Sequence, residues 1–393
     1  MAAARRVFIG AFGDPGHAFP AISLARALRS MGAGVVVETA EPWRDAVLAT
    51  GAEFVPAPEF PVFPTLGRHL QPYEAVAQAM ETTRPAVASS GADVVVHDIL
   101  TLAPALSAEL EGLPVVTLVP HLNPVTPTGT PPFGLGARMP RTPAGKSLWR
   151  ALGRPVERGL ARGRDEYDEL RRRVGLSPRG RINGTLSEDL VLIGTYPQLE
   201  ASRPRPDHFR VTGPLFWEPE FPEVQLPSGD GPLILVAPST AQDLGHDLLR
   251  AALAGLGGPD LRVIATWNRR PLTGEVAVPA NTNLVEWLSY SKTIPHCSAV
   301  ISHGGHGTVA RTLEAGAIPV IVPFSGDQFE NAARIDETGL GVRLPRRLLS
   351  PATLSLSVER ALGDGGMSAR AGAVSAWATE HDGSIAAARL ILA

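Results

Sequence analysis

One stretch restricts the fold of this chain more than any other, the segment AVISHGGHGTVARTLEAG from Ala299 to Gly316. Its apolar start is typical of the end of a buried parallel strand, and a helical pattern follows with Val309, Leu313 and Ala317 on one face. Glycines and histidines fill the turn between the two elements. A strand, a glycine-rich turn and a helix start together gather unpaired backbone N–H groups and the positive end of a helix dipole. The stretch therefore predicts an anion site, with phosphate as the natural occupant.

The side chains of this turn support that interpretation. Thr308 is placed to cap the helix and to donate to an oxygen, and His303 adds a second donor. The glycines allow positive φ and a close approach of the backbone to an anion. A tight turn without any ligand explains the glycines equally well. It does not need two histidines, so His303 and His306 favour the binding site.

Length and composition set the broad class. A chain of 393 residues exceeds one ordinary core, so two domains are expected. A formal net charge of −3 gives no reason to expect nucleic acid or an anionic membrane as a partner. A single cysteine, Cys297, excludes an internal disulfide and fits a reducing compartment. The apolar run near the N-terminus is too short for a signal peptide or a membrane span, so we expect a cytoplasmic protein without membrane insertion.

In the first half, short apolar runs alternate with helical patterns, which predicts a parallel, doubly wound α/β sheet. His17 follows the strand Val7–Ala11, and Asp98 follows the strand Val94–Val96. Both therefore lie at carboxyl ends of strands, where this architecture places ligands. A histidine backed by a carboxylate can remove a proton from a hydroxyl. The alternatives are that His17 satisfies backbone groups at a helix start and that Asp98 caps the next helix.

Two long Pro-rich connections, 57–71 and 121–143, leave the same edge of that sheet and are predicted to wall an apolar pocket, unless they only pack as ordinary loops. The candidate lining residues are Phe60, Phe63, Leu66, Leu122 and Phe133.

The Arg-rich segment from Lys146 to Arg173 is predicted to be an amphipathic helix with a solvated charged face. In the second half, Asp327 and Gln328 follow another strand and offer acceptors and donors suited to sugar hydroxyls.

HGGHGT, followed by EAGAIPVIVPFSGDQFENAARI, resembles the donor-binding signature of family 1 nucleotide-sugar-dependent glycosyltransferases, which include bacterial natural-product and macrolide enzymes. The similarity is strongest over the last third of the chain. Two landmarks in the first half match as well, namely Gly16-His17-Ala18-Phe19-Pro20 and VVVHDIL. The resemblance implies the GT-B fold, two Rossmann-like domains that face each other across a cleft. We assign 1–214 to an acceptor domain, 215–231 to a linker, 232–375 to a donor domain, and 376–393 to a helix that crosses back.

The resemblance also implies roles. His17 is the catalytic base and Asp98 orients it, in an inverting transfer from a nucleoside-diphosphate sugar (UDP or dTDP) to a small, largely apolar acceptor, with no obligatory metal. The nucleotide base of the donor would stack on Trp287, its diphosphate would bind at the glycine-rich turn, and its sugar would contact Asp327 and Gln328. The predicted donor-binding residues are Ser239, Thr240, Trp287, Leu288, His303, Gly305, His306, Gly307, Thr308, Asp327 and Gln328.

Some positions depart from the family pattern. Ser239-Thr240 replaces a Gly-Ser pair, Ser289-Tyr290 replaces Pro-Gln, and Arg311 occupies the place of a ribose-binding glutamate of plant members. The nucleotide carrier therefore stays open, as does the choice between monomer and homodimer. Two other functions fit the same scaffold: a nucleotide-sugar epimerase or hydrolase, and a non-catalytic partner that binds nucleotide sugar and activates another transferase.

Overall fold

The computed structural model describes residues 5–58, 72–200, 205–239, 243, 245–270, 272–274 and 276–393. Two parallel sheets organise them, one in each half of the chain. The strands are short and almost wholly apolar, as expected for parallel strands that helices cover on both faces.

The first sheet has seven strands in the order β3-β2-β1-β4-β5-β6-β7, and all six pairings between neighbouring strands are parallel. These strands are β1 (Arg6–Gly10), β2 (Gly34–Thr39), β3 (Glu53–Pro56), β4 (Val94–Asp98), β5 (Val115–Val119), β6 (Leu190–Ile193) and β7 (Phe209–Val211). The α-helices of this half are α1 (Pro15–Ser30), α2 (Arg44–Ala49), α3 (Pro72–Ser90), α4 (Leu102–Leu110), α5 (Pro143–Arg173) and α6 (Pro197–Glu200).

The second sheet has six strands in the order β10-β9-β8-β11-β12-β13, again parallel throughout. They are β8 (Leu233–Ala237), β9 (Arg262–Thr266), β10 (Thr282–Val285), β11 (Ala299–Ser302), β12 (Ile318–Ile321) and β13 (Val342–Arg343). Its α-helices are α7 (Asp247–Gly255), α8 (Tyr290–Thr293), α9 (His306–Glu314), α10 (Asp327–Thr338), α11 (Pro351–Gly363), α12 (Gly365–Glu380) and α13 (Gly383–Leu392). Three short 3-10 helices cover Glu41–Trp43, Ile294–His296 and Arg346–Leu348.

Each sheet reverses its strand order once, between β1 and β4 in the first and between β8 and β11 in the second. A doubly wound sheet opens a crevice at such a point, because the loops on either side diverge. The first turn of α1, which follows β1, carries His17, and the turn after β11 carries the glycine-rich segment. Both predicted half-sites therefore lie at the switch point of their own sheet.

The two halves also pack against each other. A buried apolar cluster joins Leu122 and Tyr196 of the first half to Val309 and Leu313 of α9. The Tyr196 hydroxyl donates to the carbonyl of Ala310 at 3.0 Å. The last helix, α13, packs on α1, and the hydroxyls of its Ser384 and of Ser23 lie 2.7 Å apart. Apolar contacts and buried hydrogen bonds thus fix one half relative to the other.

Candidate active site

His17 and Asp98 are in direct contact. The Nδ1 atom of His17 lies 2.7 Å from Oδ2 of Asp98, and the second carboxylate oxygen accepts the backbone N–H of Leu100 at 2.8 Å. The Asp98 side chain is fully buried, whereas the imidazole is 16% exposed. A buried carboxylate can only accept hydrogen bonds when ionised, so it holds His17 in the tautomer whose Nδ1 carries the proton. The Nε2 atom is then the one with a free lone pair.

The surroundings of His17 raise its pKa. Burial opposes this and lowers the pKa, but the charge of Asp98, its hydrogen bond to the ring, and the charges of Asp14 and Asp327 together outweigh burial. Asp14 caps α1 by accepting the N–H of Gly16 at 2.9 Å. The aromatic rings of Phe12 and His121 stand edge-on to the imidazole at 6.1 and 6.3 Å. The histidine is therefore basic, sterically confined and still accessible.

The glycine-rich turn leads into α9 with an uncapped first turn. The helix begins at His306, and Gly305 occupies the capping position without a side chain to fill it. The predicted capping role of Thr308 is therefore wrong, because the helix starts earlier than the apolar pattern indicates and Thr308 lies within its first turn. The N–H groups of His306, Gly307 and Thr308 have no acceptor inside the helix. Free N–H groups at a helix start are donors that an anion can occupy, so the predicted anion site keeps its place here as a prediction.

Gly304 is the residue that shapes this turn. Its φ is +88°, and a Cβ placed there would lie 2.5 Å from Cγ2 of Ile321. An added methyl would meet a branched side chain of the sheet behind it, in a backbone conformation that L-residues avoid.

Gly304→Ala should therefore lower the free energy of unfolding by about 1–3 kcal/mol through strain and overpacking. The matched control is Gly307→Ala, three residues on, where nothing lies within 4 Å of an added Cβ. That change should be neutral or stabilising by up to about 1 kcal/mol, because alanine favours the helix. Urea denaturation of both variants measures the difference, and equal stabilities would contradict the geometry of the turn.

The two histidines of the turn have different surroundings. The Nε2 atom of His303 stands beside Gly305, where an added Cβ would approach it to 2.6 Å. Burial lowers the pKa of His303, and the charge of Asp327 and the carbonyl of Ala237 act against it. The ring of His306 points inward, and its Nε2 lies 3.1 Å from the carbonyl oxygen of Gly194 in the first half. Burial lowers the pKa of His306 to about 4. His306 thus offers its backbone to a ligand, while its side chain bridges the two halves.

Asp327 is the first residue of α10, and its carboxylate faces the turn. Its Oδ2 accepts from Nδ2 of Asn331 at 3.2 Å, and the same amide nitrogen donates to the carbonyl of Gly304 at 2.9 Å. Gln328 uses its side-chain oxygen to accept the N–H groups of Phe324 and Ser325 at 2.9 and 3.1 Å. The carboxylate of Asp327 and the amide nitrogen of Gln328 are thus the groups left to contact a ligand.

Asp327 acts electrostatically on histidines of both halves. Its negative charge acts to raise the pKa of four histidines, two from each half of the chain, although burial outweighs it at three of them. These are His17, where the pKa rises, and His121, His303 and His306, where it falls. Because a charge acts strongly only over short distances in a protein interior, Asp327 is near His17 as well as the glycine turn, to which Asn331 connects it.

The remaining predicted donor residues differ in their exposure. Trp287 is half-buried, with the ring of Phe221 at 5.6 Å and the guanidinium of Arg269 at 5.3 Å. Leu288 is 3% exposed inside the core of the second sheet, so its side chain is not accessible to a ligand. Ser239 is buried two residues after the end of β8. Thr240 lies outside the described residues.

Among the predicted acceptor residues, Phe133 is connected to the catalytic pair through His121, because its ring stacks on that of His121 at 5.9 Å and His121 stands 6.3 Å from His17. Leu122 is 1% exposed in the cluster between the halves, so its side chain does not face open space. Phe60, Phe63 and Leu66 lie outside the described residues.

Sequence reasoning missed His121. Its Nδ1 lies 2.8 Å from the carbonyl oxygen of Leu122, and burial lowers its pKa against the charge of Asp327. It follows β5 by two residues, so the rule that singled out Asp98, a polar residue just past a buried strand, could have found it.

A cavity of about 730 Å³ lies on the linker side of the two halves. Tyr196, Phe216, Trp217 and Arg311 line part of it, whereas His17, His303 and Asp327 do not. Arg311 pairs with Glu314 at 2.7 Å and lies over the ring of Phe216 at 4.0 Å.

The described residues contain no group of three or more His, Cys, Asp or Glu side chains arranged to hold a metal ion. None of the described helices is long and apolar enough to cross a membrane.

Comparison with known proteins agrees with this architecture. Residues 250–381 match the model of the erythromycin biosynthesis protein CIII-like C-terminal domain. The 4'-demethylrebeccamycin synthase of Lentzea aerocolonigenes is 28% identical over 91% of each chain. The O-mycaminosyltylonolide 6-deoxyallosyltransferase of Streptomyces fradiae is 28% identical over 93% of this chain and 92% of its own.

Among solved structures, the glycotransferase of kitacinnamycin covers 99% of this chain and 98% of its own, with a TM-score of 0.79 and 20% identity. The Streptomyces sp. SF2575 glycosyltransferase SsfS6, complexed with thymidine diphosphate, matches with a TM-score of 0.63 and 19% identity over 98% of this chain and 99% of its own. Likeness at this identity establishes the fold.

Fold and relatives together define the class: the chain has the GT-B fold and is a glycosyltransferase, as the sequence predicts. Its residues 250–381 are similar to the EryCIII-like C-terminal domain, which confirms the predicted resemblance over the matched residues.

Proposed function

We propose that this chain transfers a sugar, with inversion, from a nucleoside-diphosphate sugar to a hydroxyl of a small, largely apolar acceptor. The donor binds to the second half, with its diphosphate at His303 and the first turn of α9. The acceptor binds to the first half beside His17. The transferred sugar lies between them, against Asp327 and Gln328.

One observation carries the proposal: His17 is tied to the buried carboxylate of Asp98 at 2.7 Å, in a chain whose second half also contains the open helix start of α9. We place this proton acceptor and the anion-binding helix start on opposite sides of the space where the sugar is held. Attack from the histidine side displaces the diphosphate from the opposite face of the anomeric carbon. That geometry inverts the configuration.

The chemistry follows from the charges of the groups. Nε2 of His17 takes the proton of the attacking hydroxyl, and Asp98 stabilises the imidazolium that forms. The bond from the anomeric carbon to the diphosphate oxygen breaks, and negative charge grows on the departing phosphate. The N–H groups at the start of α9 and the ring of His303 stabilise that charge, in the way an oxyanion hole does. This chemistry needs no metal, and we expect none to be obligatory.

The named relatives support the substrate classes. One is a glycosyltransferase that acts on a tylonolide, one is a rebeccamycin-type synthase, and SsfS6 holds thymidine diphosphate. We therefore propose thymidine or uridine diphosphate as the carrier and a small, largely apolar natural product of phenolic or macrolide type as the acceptor.

The direct test supplies dTDP- and UDP-hexoses with a panel of phenolic and macrolide-type acceptors, with and without a chelator. The expected result is an acceptor that gains one hexosyl mass and an inverted anomeric configuration by NMR, unchanged by the chelator. Consumption or epimerisation of donor without any acceptor would instead assign an epimerase or hydrolase. Nucleotide-sugar binding with no turnover at all would assign a non-catalytic activator.

The pH dependence of the reaction has a defined direction. The surroundings raise the pKa of His17 above its ordinary value of 6.5, and only the neutral ring can act as a base. In a profile of kcat/KM against pH, activity should therefore rise with pH, and the midpoint of this rising limb should lie above pH 6.5. Asp98→Asn removes the charge and the ionic hydrogen bond that raise this pKa. In that variant the limb of kcat/KM should move to lower pH while the plateau falls. An unmoved limb would show that His17 is not the titrating base.

A further inference from the structure

The helix α5 extends beyond the body of the first half. Its last third is anchored, because Tyr167 and Leu170 are buried in a cluster with Met80 of α3 and Leu106 of α4. The preceding residues, from Ala144 to Arg164, are exposed or partly exposed throughout. We call residues 144–164 the α5 arm.

One face of the α5 arm is apolar and uncovered. Leu148, Leu152, Val156 and Leu160 repeat at every fourth position and are 57%, 53%, 38% and 45% exposed. Residues four apart lie on the same side of a helix, so these four side chains form one continuous stripe. Single exposed leucines are ordinary on protein surfaces, but an aligned row of four indicates a surface that contacts something.

The opposite face is strongly basic. It carries five basic side chains, again at every fourth position, which are Lys146, Arg150, Arg154, Arg158 and Arg162. Arg164 continues the row of the apolar stripe instead, and the arm has one acidic residue, Glu157. Arg162 and Arg164 have acidic partners, Glu166 at 3.7 Å and Asp165 at 2.7 Å. The other four make no ion pair with any residue that the structure describes. A chain with a net charge of −3 thus concentrates free positive charge on this one arm.

We propose that the α5 arm binds in the plane of an anionic membrane surface, with the leucine stripe in the acyl boundary and the basic residues at the lipid phosphates. The combination of an apolar stripe and a Lys/Arg-rich polar face is what interfacial helices have in common. Charge complementarity favours an anionic lipid surface over a second copy of this chain. A second copy would bring two arms of the same positive charge together, and like charges at short range repel. The arm lies on the membrane and does not span it, which agrees with the absence of a spanning helix among the described residues.

The test uses the full chain in vesicle flotation, with phosphatidylcholine vesicles compared with phosphatidylcholine–phosphatidylglycerol vesicles. The protein should float with the anionic vesicles alone, and high salt should release it, because screening weakens the attraction. Each basic residue near an anionic surface contributes about a fivefold factor in binding. Arg150→Glu/Arg154→Glu/Arg158→Glu should therefore weaken binding on the order of a hundredfold or more.

Two further variants test whether membrane binding depends on the leucine stripe or on any exposed leucine of the protein. Leu148→Gln/Leu152→Gln should also weaken flotation, whereas Leu356→Gln, which removes a leucine that is 62% exposed on α11, should not. Failure to float with anionic vesicles at low salt would overturn the proposal, and so would equal flotation of all variants. Sedimentation velocity that detects a dimer in the wild type, lost in Leu148→Gln/Leu152→Gln, would assign the stripe to self-association instead.

Discussion

His17→Ala should reduce the rate of sugar transfer by about 10²–10⁴, the usual contribution of a general base. The physical reason is that no other described side chain combines an open Nε2 with a buried carboxylate at 2.7 Å behind it. His121 stands 6.3 Å away, ring to ring, but burial lowers its pKa, so it is a weaker base. Single-turnover kinetics with saturating donor and acceptor measure the effect on the chemical step.

Binding of the nucleoside diphosphate is the internal control. His17 belongs to the first half of the chain, whereas the diphosphate is assigned to α9 in the second, so the affinity for the diphosphate should stay within a few-fold of wild type. A variant that turns over at the wild-type rate would remove His17 from the mechanism. A large loss of diphosphate affinity would mean that the substitution disturbs the cleft as a whole.

Arg334→Ala should lower the free energy of unfolding by about 3–5 kcal/mol, the usual cost of breaking a buried ion pair. The Arg334 side chain is 1% exposed on α10, and its Nε lies 3.3 Å from Oε1 of the equally buried Glu330. It also pairs with Glu337 and donates to the carbonyl of Ala137, in the loop that crosses from the first half, at 2.7 Å. Its removal would leave buried negative charge on α10 without a cation and would release the crossing loop.

Urea denaturation provides the measurement, and Arg138→Ala provides the matched control. Arg138 pairs at 2.6 Å with Asp336, which like Arg334 belongs to α10, but the Arg138 side chain is 65% exposed. Its loss should cost at most about 1 kcal/mol. Arg334→Met combined with Glu330→Gln should recover part of the stability, because the buried charge of Glu330 is then removed together with its partner, while the more exposed Glu337 keeps its charge. Equal costs for Arg334→Ala and Arg138→Ala would contradict the role assigned to burial.

The fold could be predicted from the sequence because the strands are short apolar runs that alternate with helical patterns. The predicted strand Val94–Val96 lies within β4, and the predicted strand Val7–Ala11 overlaps β1 with a shift of one residue. The start of α9 was predicted too late, because the apolar period begins at Val309 whereas Gly305 ends the turn and lets the helix begin at His306. Helix starts depend on which residue caps them, and a glycine cap leaves no side-chain signal.

The contact between His17 and Asp98 could not be predicted from the residues alone. The two strands that carry them are neighbours only because the strand order places β1 beside β4, and periodicity does not reveal strand order. The resemblance to family 1 enzymes supplied that pairing. The bridge from His306 to Gly194 could not be predicted for a related reason, since it joins parts of the chain that no local pattern connects. The ion pairs of Arg334 have helical spacing, but their burial depends on the packing of α10 against the rest of the protein, which no local pattern reveals.

A crystal structure of the protein with thymidine diphosphate tests the central claim most directly, namely that one cleft holds a proton acceptor from the first half and an anion site from the second. We predict the diphosphate at the first turn of α9, beside His303 and Gly305, with the imidazole of His17 facing it across the space for a sugar. A nucleotide bound instead in the linker-side cavity lined by Phe216 and Arg311, with the glycine turn empty, would contradict the claim.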